Sequence, residues 1–499
     1  MRLMATTRPA DVPAPASAAI MGELRNALAS AGYTAESVAA VLHLSGELTL
    51  GPADLQVHDL RTRDGSPLST LVRLLALGLE VGERAVASAL APVKPSVLAE
   101  MGLLEGGGGN VRSLVRLVAH GEVLITCDLI GAGGANHVTG LNGPAGLLAG
   151  LAVRRPCANM LDLGTGNGIQ GLLAARHCEH VISTDINPRA VAFADFNAAL
   201  NGITNLETRL GSLYEPVRGE RFGLILSNPP YVISPESSLV YRDSGRGPGE
   251  ICRDVLLGAG PHLDESGYAQ ALVSWPTAGG LPWDEALRAW VPAGVDAWLL
   301  HYQTEDPLTH AANWNRPTRD SSLSERGRAL DEWLRYDERE GVDAIGFGAV
   351  FLHRRPDGGR VFTSDARSGV SGAGRQVQRV FAAMAAGEPS DETARATAFV
   401  PVPELEVEQV VRSVPGGWSI DRCNVRLTEG VGYSWSIDPT LAAVVLGLDG
   451  RLTVDRAIGA ASTQVGIGID SLRPAALSLV RRLYELGFLV RPEDPPALG

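Results

Sequence analysis

The segment Met160-Leu161-Asp162-Leu163-Gly164-Thr165-Gly166-Asn167-Gly168-Ile169-Gln170-Gly171 constrains this chain more than any other. An apolar run breaks into alternating glycines and then resumes with helix formers, so a buried strand must turn sharply into a helix. Such a turn lets the backbone approach a ligand closely, and the helix N-terminus aims free N–H groups at negative charge. The same turn also serves as a plain tight connection, so it does not define a site by itself.

Around it, strand and helix signals alternate, the pattern of a mostly parallel sheet covered on both faces. Seven strands are predicted: Met160 to Leu163, Val181 to Thr184, Leu206 to Leu210, Leu224 to Ser227, Ala269 to Ser274, Ala297 to His301 and Ile345 to His353. Between the last two lies Ser322 to Glu340, charged and helical in pattern, read as an insertion. The tryptophans Trp275, Trp283, Trp290 and Trp298 are expected to pack against the back half of the sheet.

This α/β part spans residues 129–365 and is flanked by residues 1–128 and 366–499. The first flank gives short helices at Ser17 to Ala31, Ser37 to Leu42, Ser69 to Leu79 and Glu83 to Leu90, then a hairpin within Val111 to Asp128 about the turn His120-Gly121. That outline is winged-helix-like, with Gly106 to Gly109 expected as a turn between helix and hairpin. The second flank opens on a Gly/Ser/Arg linker at Ser368 to Arg375. It continues with a strand at Val402 to Val411, helices at Pro439 to Leu446, Val454 to Ala461 and Leu472 to Leu486, and a last strand at Phe488 to Val490, also winged-helix-like in outline.

The formal net charge of −13 excludes a long-range attraction for nucleic acid unless a local basic patch overrides it. Basic charge is nearly all arginine, which with the alanine and glycine content fits a GC-rich bacterial genome. Five cysteines, Cys127, Cys157, Cys178, Cys252 and Cys423, have no CxxC pair, which argues against a disulfide framework and fits a reducing cytosol. Pro9, Asp11, Pro13 and Pro15 interrupt what would be a signal peptide, and no apolar run reaches the ~18 residues of a membrane span. A cytoplasmic chain without membrane attachment is therefore expected. His177 and His180 lack a second cluster, so no metal is assigned. His137, in a Gly/Asn-rich loop, is expected at the surface.

Two further motifs narrow the chemistry. The second predicted strand ends in Thr184-Asp185-Ile186-Asn187, with Asp185 about 20 residues beyond the glycines, where a carboxylate can accept from a ribose diol. Nicotinamide and adenosyl cofactors are equally served by these two motifs. The fourth strand ends in Ser227-Asn228-Pro229-Pro230-Tyr231. Adjacent prolines remove two donors and leave loop carbonyls free to accept, an Asn oxygen beside them completes an acceptor pair for a planar amino group, and Tyr231 offers a stacking face.

Asp162 to Gly168, Asp185 and Asn228 to Tyr231 together resemble the motifs of Rossmann-like class I S-adenosylmethionine-dependent methyltransferases. The likeness is greatest to the protein-glutamine N5-methyltransferases that modify the Gly-Gly-Gln loop of peptide release factors, and it covers about residues 140–275. It implies S-adenosylmethionine as cofactor. Gly164, Thr165, Gly166 and Gly168 would pass its methionine part, Asp162 would orient the turn, and Asp185, Ile186 and Asn187 would hold the ribose edge. Ser212 and Leu213 would flank the adenine. Asn228 and the carbonyl of Pro229, with Pro230 and Tyr231, would hold the acceptor nitrogen at the cofactor.

The resemblance makes a protein substrate, a peptide release factor, the first expectation. An RNA or DNA base N-methyltransferase is the second, because the same acceptor pair suits an exocyclic amine of adenine, guanine or cytosine. A cofactor-sensing winged-helix regulator without enzymatic activity is the third, and an intact Asn228-Pro229-Pro230-Tyr231 argues against it.

Overall fold

The computed structural model describes residues 9, 11–44, 54–132, 134–236, 239–315, 322–366 and 372–494. Residues 368–371, the first half of the expected linker, lie outside them. The chain divides into two compact units, one of Met1–Ala149, Pro156–Pro292 and Gln303–Val350, the other of Gly150–Arg155, Ala293–Tyr302 and Phe351–Gly499.

The first unit begins with helices, among them Ala18–Ser30, capped by Ser17, and Ala35–Leu42, capped by Thr34. Helix Pro67–Leu71 runs into a π-helical turn at Val72–Ala76, followed by strand Val81–Gly82 and helices Glu83–Ala89 and Pro95–Glu100. Two hairpins follow where one was expected. The first pairs Leu104–Gly107 with Asn110–Ser113, and its second strand also pairs with Val81–Gly82. Gly108 and Gly109, at φ +63° and +84°, form its turn, so the glycine run lies inside a hairpin rather than before one. The second hairpin, Arg116–His120 with Val123–Cys127, is the one anticipated about His120-Gly121.

Among the described residues the α/β part carries eight strands, not seven: β1 (Cys157–Leu163), β2 (Cys178–Asp185), β3 (Leu206–Leu210), β4 (Phe222–Ser227), β5 (Leu263–Thr277), β6 (Val295–Glu305), β7 (Ala344–Arg354) and β8 (Val361–Asp365). The added strand is β8, whose short and polar sequence gives little strand signal; it pairs in parallel with β6 in the second unit. In the first unit the order is β7-β5-β4-β1-β2-β3. The pairings β1–β2, β2–β3, β1–β4 and β4–β5 are all parallel. Parallel strands need crossovers. Crossovers here carry α2 (Ile169–Ala174), α3 (Pro188–Asn201) and α4 (Glu250–His262), while α1 (Gly143–Leu151) lies ahead of β1.

Central strands are apolar on both faces, as burial on both sides requires: Met160, Leu161, Leu163, Leu224, Ile225 and Leu226 are all buried. Trp275, Trp290 and Trp298 are buried as expected, and Trp275 lies 5.9 Å from the Trp283 ring. The insertion expected at Ser322 to Glu340 is helix α6 (Leu323–Glu340), and a helix that was not expected, α5 (Pro307–Trp314), precedes it. Ser322 caps α6 in a reciprocal capping box with Glu325, and the helix buries Trp333, Tyr336 and Asp337.

One cysteine expectation is corrected. Cys157 and Cys178 are register partners on β1 and β2, 4.6 Å apart at Cα, and are joined by a disulfide. Their separation in sequence hid a pairing that only strand register creates. Cys127, Cys252 and Cys423 are buried free thiols.

In the second unit a helix at Gly374–Ala386 precedes a long antiparallel ribbon, Leu405–Val414 with Gly417–Leu427, extended by Ser434–Ile437. The expected strand at Val402 to Val411 is thus displaced toward the C-terminus. Its partner was not anticipated, because Ser419, Asp421, Arg422, Asn424 and Arg426 dilute the apolar alternation. Helices Pro439–Leu446, Val454–Val465 and Ile469–Glu485 pack around Phe399, Val480 and Phe488, and Leu489–Val490 pairs with Val400–Pro401. Among the described residues no helix is long and apolar enough to cross a membrane.

Candidate active site

The strand order reverses between β1 and β4. Chain leaving β1 crosses toward β2, chain leaving β4 crosses toward β5, and a crevice opens above their C-terminal ends. Leu163 and Ser227, the last residues of the two strands, are register partners, and Ser227 Oγ donates to the Leu163 carbonyl at 2.9 Å. A cavity of about 360 Å³ occupies this position.

The glycine turn forms its floor. Gly164 and Gly166 have φ of +77° and +57°, and open space lies where a Cβ would project, so the backbone is bare toward the cavity. Asp162 braces the turn from below. Its Oδ2 accepts from Thr165 Oγ1 at 2.6 Å and from the Gly171 amide at 3.0 Å. Burial pushes its carboxyl up to about 6 despite these bonds. Gly168 does something else: at φ +89° its missing Cβ would sit 3.2 Å from Ala194 Cα and Cβ, so this glycine permits α2 and α3 to pack closely.

Asp185, at the end of β2, accepts from the Gly166 amide on Oδ2 at 2.9 Å and from the Asn187 amide on Oδ1 at 2.8 Å. Burial raises its pKa, and these amides oppose the rise. The carboxylate is thereby oriented at the cavity wall beside Ile186 and Asn187. After β3, Ser212 and Leu213 reach the rim, with Leu213 held at φ +48°, a conformation rare for a non-glycine residue.

At the end of β4, beside the glycine turn, Asn228, Pro229 and Pro230 also line the cavity. Asn228 Oδ1 is buried and has no hydrogen-bond partner. Tyr231 does not border the cavity; its carbonyl accepts from Ser274 Oγ, and its ring meets Trp314 edge-on, 6.4 Å between centroids at 86°. Of the residues expected at the site, Asp162, Gly164, Thr165, Gly166, Asp185, Ile186, Asn187, Ser212, Leu213, Asn228, Pro229 and Pro230 border one cavity, while Gly168 and Tyr231 support it from behind.

Sequence reading missed the roof. His137 and Tyr241, from loops more than a hundred residues apart, bring their rings to 5.7 Å over the cavity, and the Val240 amide donates to the Ala135 carbonyl at 3.0 Å. His137 is half-buried rather than a surface residue, with Nδ1 3.6 Å from Asp128 Oδ2. Burial lowers its pKa below the usual imidazole range, against the opposing pull of Asp128. Asp128 also accepts from the Val138 amide at 2.7 Å and pairs with Arg189. No local pattern marks His137 or Tyr241, since each gains its role from a long-range contact.

The chemistry of the lining suits a nucleoside carrying an amino-acid chain. A bare glycine backbone lies beside an oriented carboxylate suited to a diol, and Asn228, whose amide oxygen is buried without a hydrogen-bond partner, borders the same cavity. The residues present fit S-adenosylmethionine.

Comparison with known proteins agrees over this segment. Residues 142–241 match the methyltransferase small domain. Residues 30–114 and 382–491 each match a domain of unknown function. The chain is 40% identical over 130 residues to a release factor glutamine methyltransferase of Cereibacter sphaeroides, covering 23% of this chain and 46% of the relative. It is 33% identical over 136 residues to the protein of that name in Escherichia coli, covering 23% and 48%. The chain spans about half the length of the curated relatives it matches. A solved ribosomal protein L11 methylase from Lactobacillus delbrueckii subsp. bulgaricus is 20% identical, with 42% of this chain and 77% of that chain covered at a TM-score of 0.23, too low to carry an argument.

Proposed function

We propose that this protein is an S-adenosylmethionine-dependent N-methyltransferase acting on a planar amide nitrogen, a glutamine side chain of a protein substrate of the release-factor type. The observation that carries the reading is Asn228 Oδ1, buried at the cavity wall without a partner beside two prolines that donate nothing. A buried acceptor left unmatched costs free energy unless a ligand supplies the donor. An amide or amino N–H₂ is such a donor.

S-adenosylmethionine, when bound, supplies a methyl group already activated on a sulfonium. The task left to the chain is to hold an acceptor nitrogen in line with that methyl, about 3 to 3.5 Å away. An amide nitrogen is a poor nucleophile because its lone pair is delocalised into the carbonyl. Asn228 Oδ1 and the Pro229 carbonyl grip its hydrogens, enrich the nitrogen and favour the transition state over the ground state. No side chain is assigned to remove a proton before transfer. Asp162, Gly164, Thr165 and Gly166 cradle the methionine part, Asp185 and its neighbours orient the ribose, and Ser212 and Leu213 border the adenine.

The relatives named release factor glutamine methyltransferase favour a protein acceptor. In this reading the chain has three functional parts. Residues 129–365 carry the chemistry, and the winged-helix-like flanks 1–128 and 366–499 dock the partner in the cytoplasm.

The test is transfer of labelled methyl from S-adenosylmethionine into a lysate of cells lacking the gene, divided between protease and nuclease digestion. Label released by protease and found on a glutamine supports the proposal. Label released by nuclease overturns the protein acceptor in favour of a nucleobase, and absence of transfer overturns the enzymatic reading.

A further inference from the structure

The connection that carries α5 and α6 stands outside the expected strand and helix alternation, and the mechanism above does not use it. Its contacts say what it does. Between Tyr231 and Arg246 the chain leaves the acceptor loop and returns to the cavity, which Val240, Tyr241, Asp243 and Arg246 line. Described residues of this segment are tied to α5 and α6 at several points. His310 Nε2, on α5, lies 2.9 Å from the Ile233 carbonyl, and Trp314 meets the Tyr231 ring edge-on. Trp333 Nε1, on α6, donates to Glu236 Oε1 at 3.2 Å.

Arg242 joins these ties. Its Nε donates to Asp243 Oδ1 at 2.7 Å, one terminal nitrogen donates to Glu236 Oε2 at 2.5 Å, and the other to the Trp314 carbonyl at 3.3 Å. The guanidinium also lies 6.0 Å over the Trp333 ring, a cation–π contact. Asp243, buried, in turn accepts from Ser234 Oγ at 3.0 Å and from the Leu239 amide at 3.2 Å. A planar, permanently charged fork can serve several acceptors in fixed directions, which a lysine cannot do.

We propose that Arg242 is a positioning residue for methyl transfer, and that α5 and α6 are the scaffold against which it locks this segment. This rests on the reading of Asn228 to Tyr231 as the acceptor loop. Arg242 touches neither the cofactor cradle nor the Asn228 oxygen. Its effect passes through Asp243 and Tyr241, on either side of it in sequence, and through Trp314 to Tyr231. Loosening it leaves the cofactor side intact and lets the acceptor nitrogen stray from line.

The experiment uses the full chain with Arg242→Gln, Arg242→Lys and Trp333→Phe. Hydrogen exchange across residues 231–246 is followed with S-adenosylhomocysteine bound, its Kd is measured by calorimetry, and methyl transfer is measured to a purified peptide release factor as probe. Arg242→Gln should leave that Kd within about 3-fold of the parent, speed exchange across 231–246, and lower kcat/KM for the probe roughly 10- to 100-fold, the scale of a 1 Å misplacement. Arg242→Lys should recover only part of the loss, and Trp333→Phe should loosen the segment less than Arg242→Gln. Unchanged exchange in Arg242→Gln overturns the clamp. Faster exchange with unchanged kcat/KM, or a Kd weakened as much as kcat/KM, overturns its positioning role. If the parent protein methylates no release factor, that choice of acceptor fails separately, and the exchange comparison still decides the clamp.

Discussion

Asn197, on α3, and Asn167, in the glycine turn, are joined by a hydrogen bond of 2.8 Å from Asn197 Nδ2 to the Asn167 carbonyl. Asn197 is fully buried and also exchanges hydrogen bonds with Thr126 of the second N-terminal hairpin, accepting from its amide at 2.8 Å and donating to its carbonyl at 3.0 Å. One side chain thus fastens the floor of the cavity to an element outside the sheet. Asn197→Ala should lower stability by roughly 2–4 kcal/mol, because it leaves several buried polar groups unmatched. Denaturant unfolding measures this, and a loss below ~1 kcal/mol would show that water or rearrangement satisfies those groups.

Asn228→Ala should cut methyl transfer by roughly 10²-fold or more while leaving S-adenosylhomocysteine affinity nearly unchanged, the scale of losing one preorganised hydrogen-bonding group. Single-turnover transfer and calorimetry separate the two effects. Turnover equal to the parent's would rule out Asn228 as part of the acceptor clamp.

Gly166→Ala and Gly168→Ala should fail in different ways. At Gly166 a Cβ meets nothing, so the stability cost is confined to the left-handed backbone at roughly 1–2 kcal/mol, and cofactor affinity falls because the methyl enters the cradle. At Gly168 the Cβ meets Ala194 as well, so thermal stability should drop further. Equal melting temperatures for the two variants would contradict this division of labour.

Asp337 sets a pH dependence. Buried on α6 with neither carboxylate oxygen hydrogen-bonded, it is pushed up to about 6 by desolvation. Its pKa is higher folded than unfolded, so the folded state binds more protons in the window between them. The stability this confers is complete below about pH 4 and is lost as pH rises through about 6. Asp337→Asn should flatten this part of the profile and raise stability at pH 8 by on the order of 2 kcal/mol. A parent profile that does not fall between pH 4 and pH 7 relative to the variant would refute the assignment.

Much of the site was legible because its signals are local. Gly164, Gly166 and Asp162 sit within one strand-turn-helix, Asp185 and Asn228 each end a strand, and the rule that parallel strands place their C-terminal ends together brings these pieces into one crevice. Gly168 and Tyr231 belong to the same motifs but serve as supports, a distinction set by Ala194 and Trp314 across space. The eighth strand and the Gly417–Leu427 ribbon strand were less visible because polar residues weaken their alternation.

Chain-local chemistry therefore established the α/β architecture, the glycine turn and the Asn-Pro-Pro end of β4, since backbone freedom, missing donors and hydrophobic period act over a few residues. Tertiary structure alone decided the His137–Tyr241 contact, the Cys157–Cys178 bond and the contacts of Arg242 with Trp314 and Trp333. Each of these joins groups whose separation along the chain carries no trace of their distance in space, and only the packing of the folded sheet and its helices makes them neighbours.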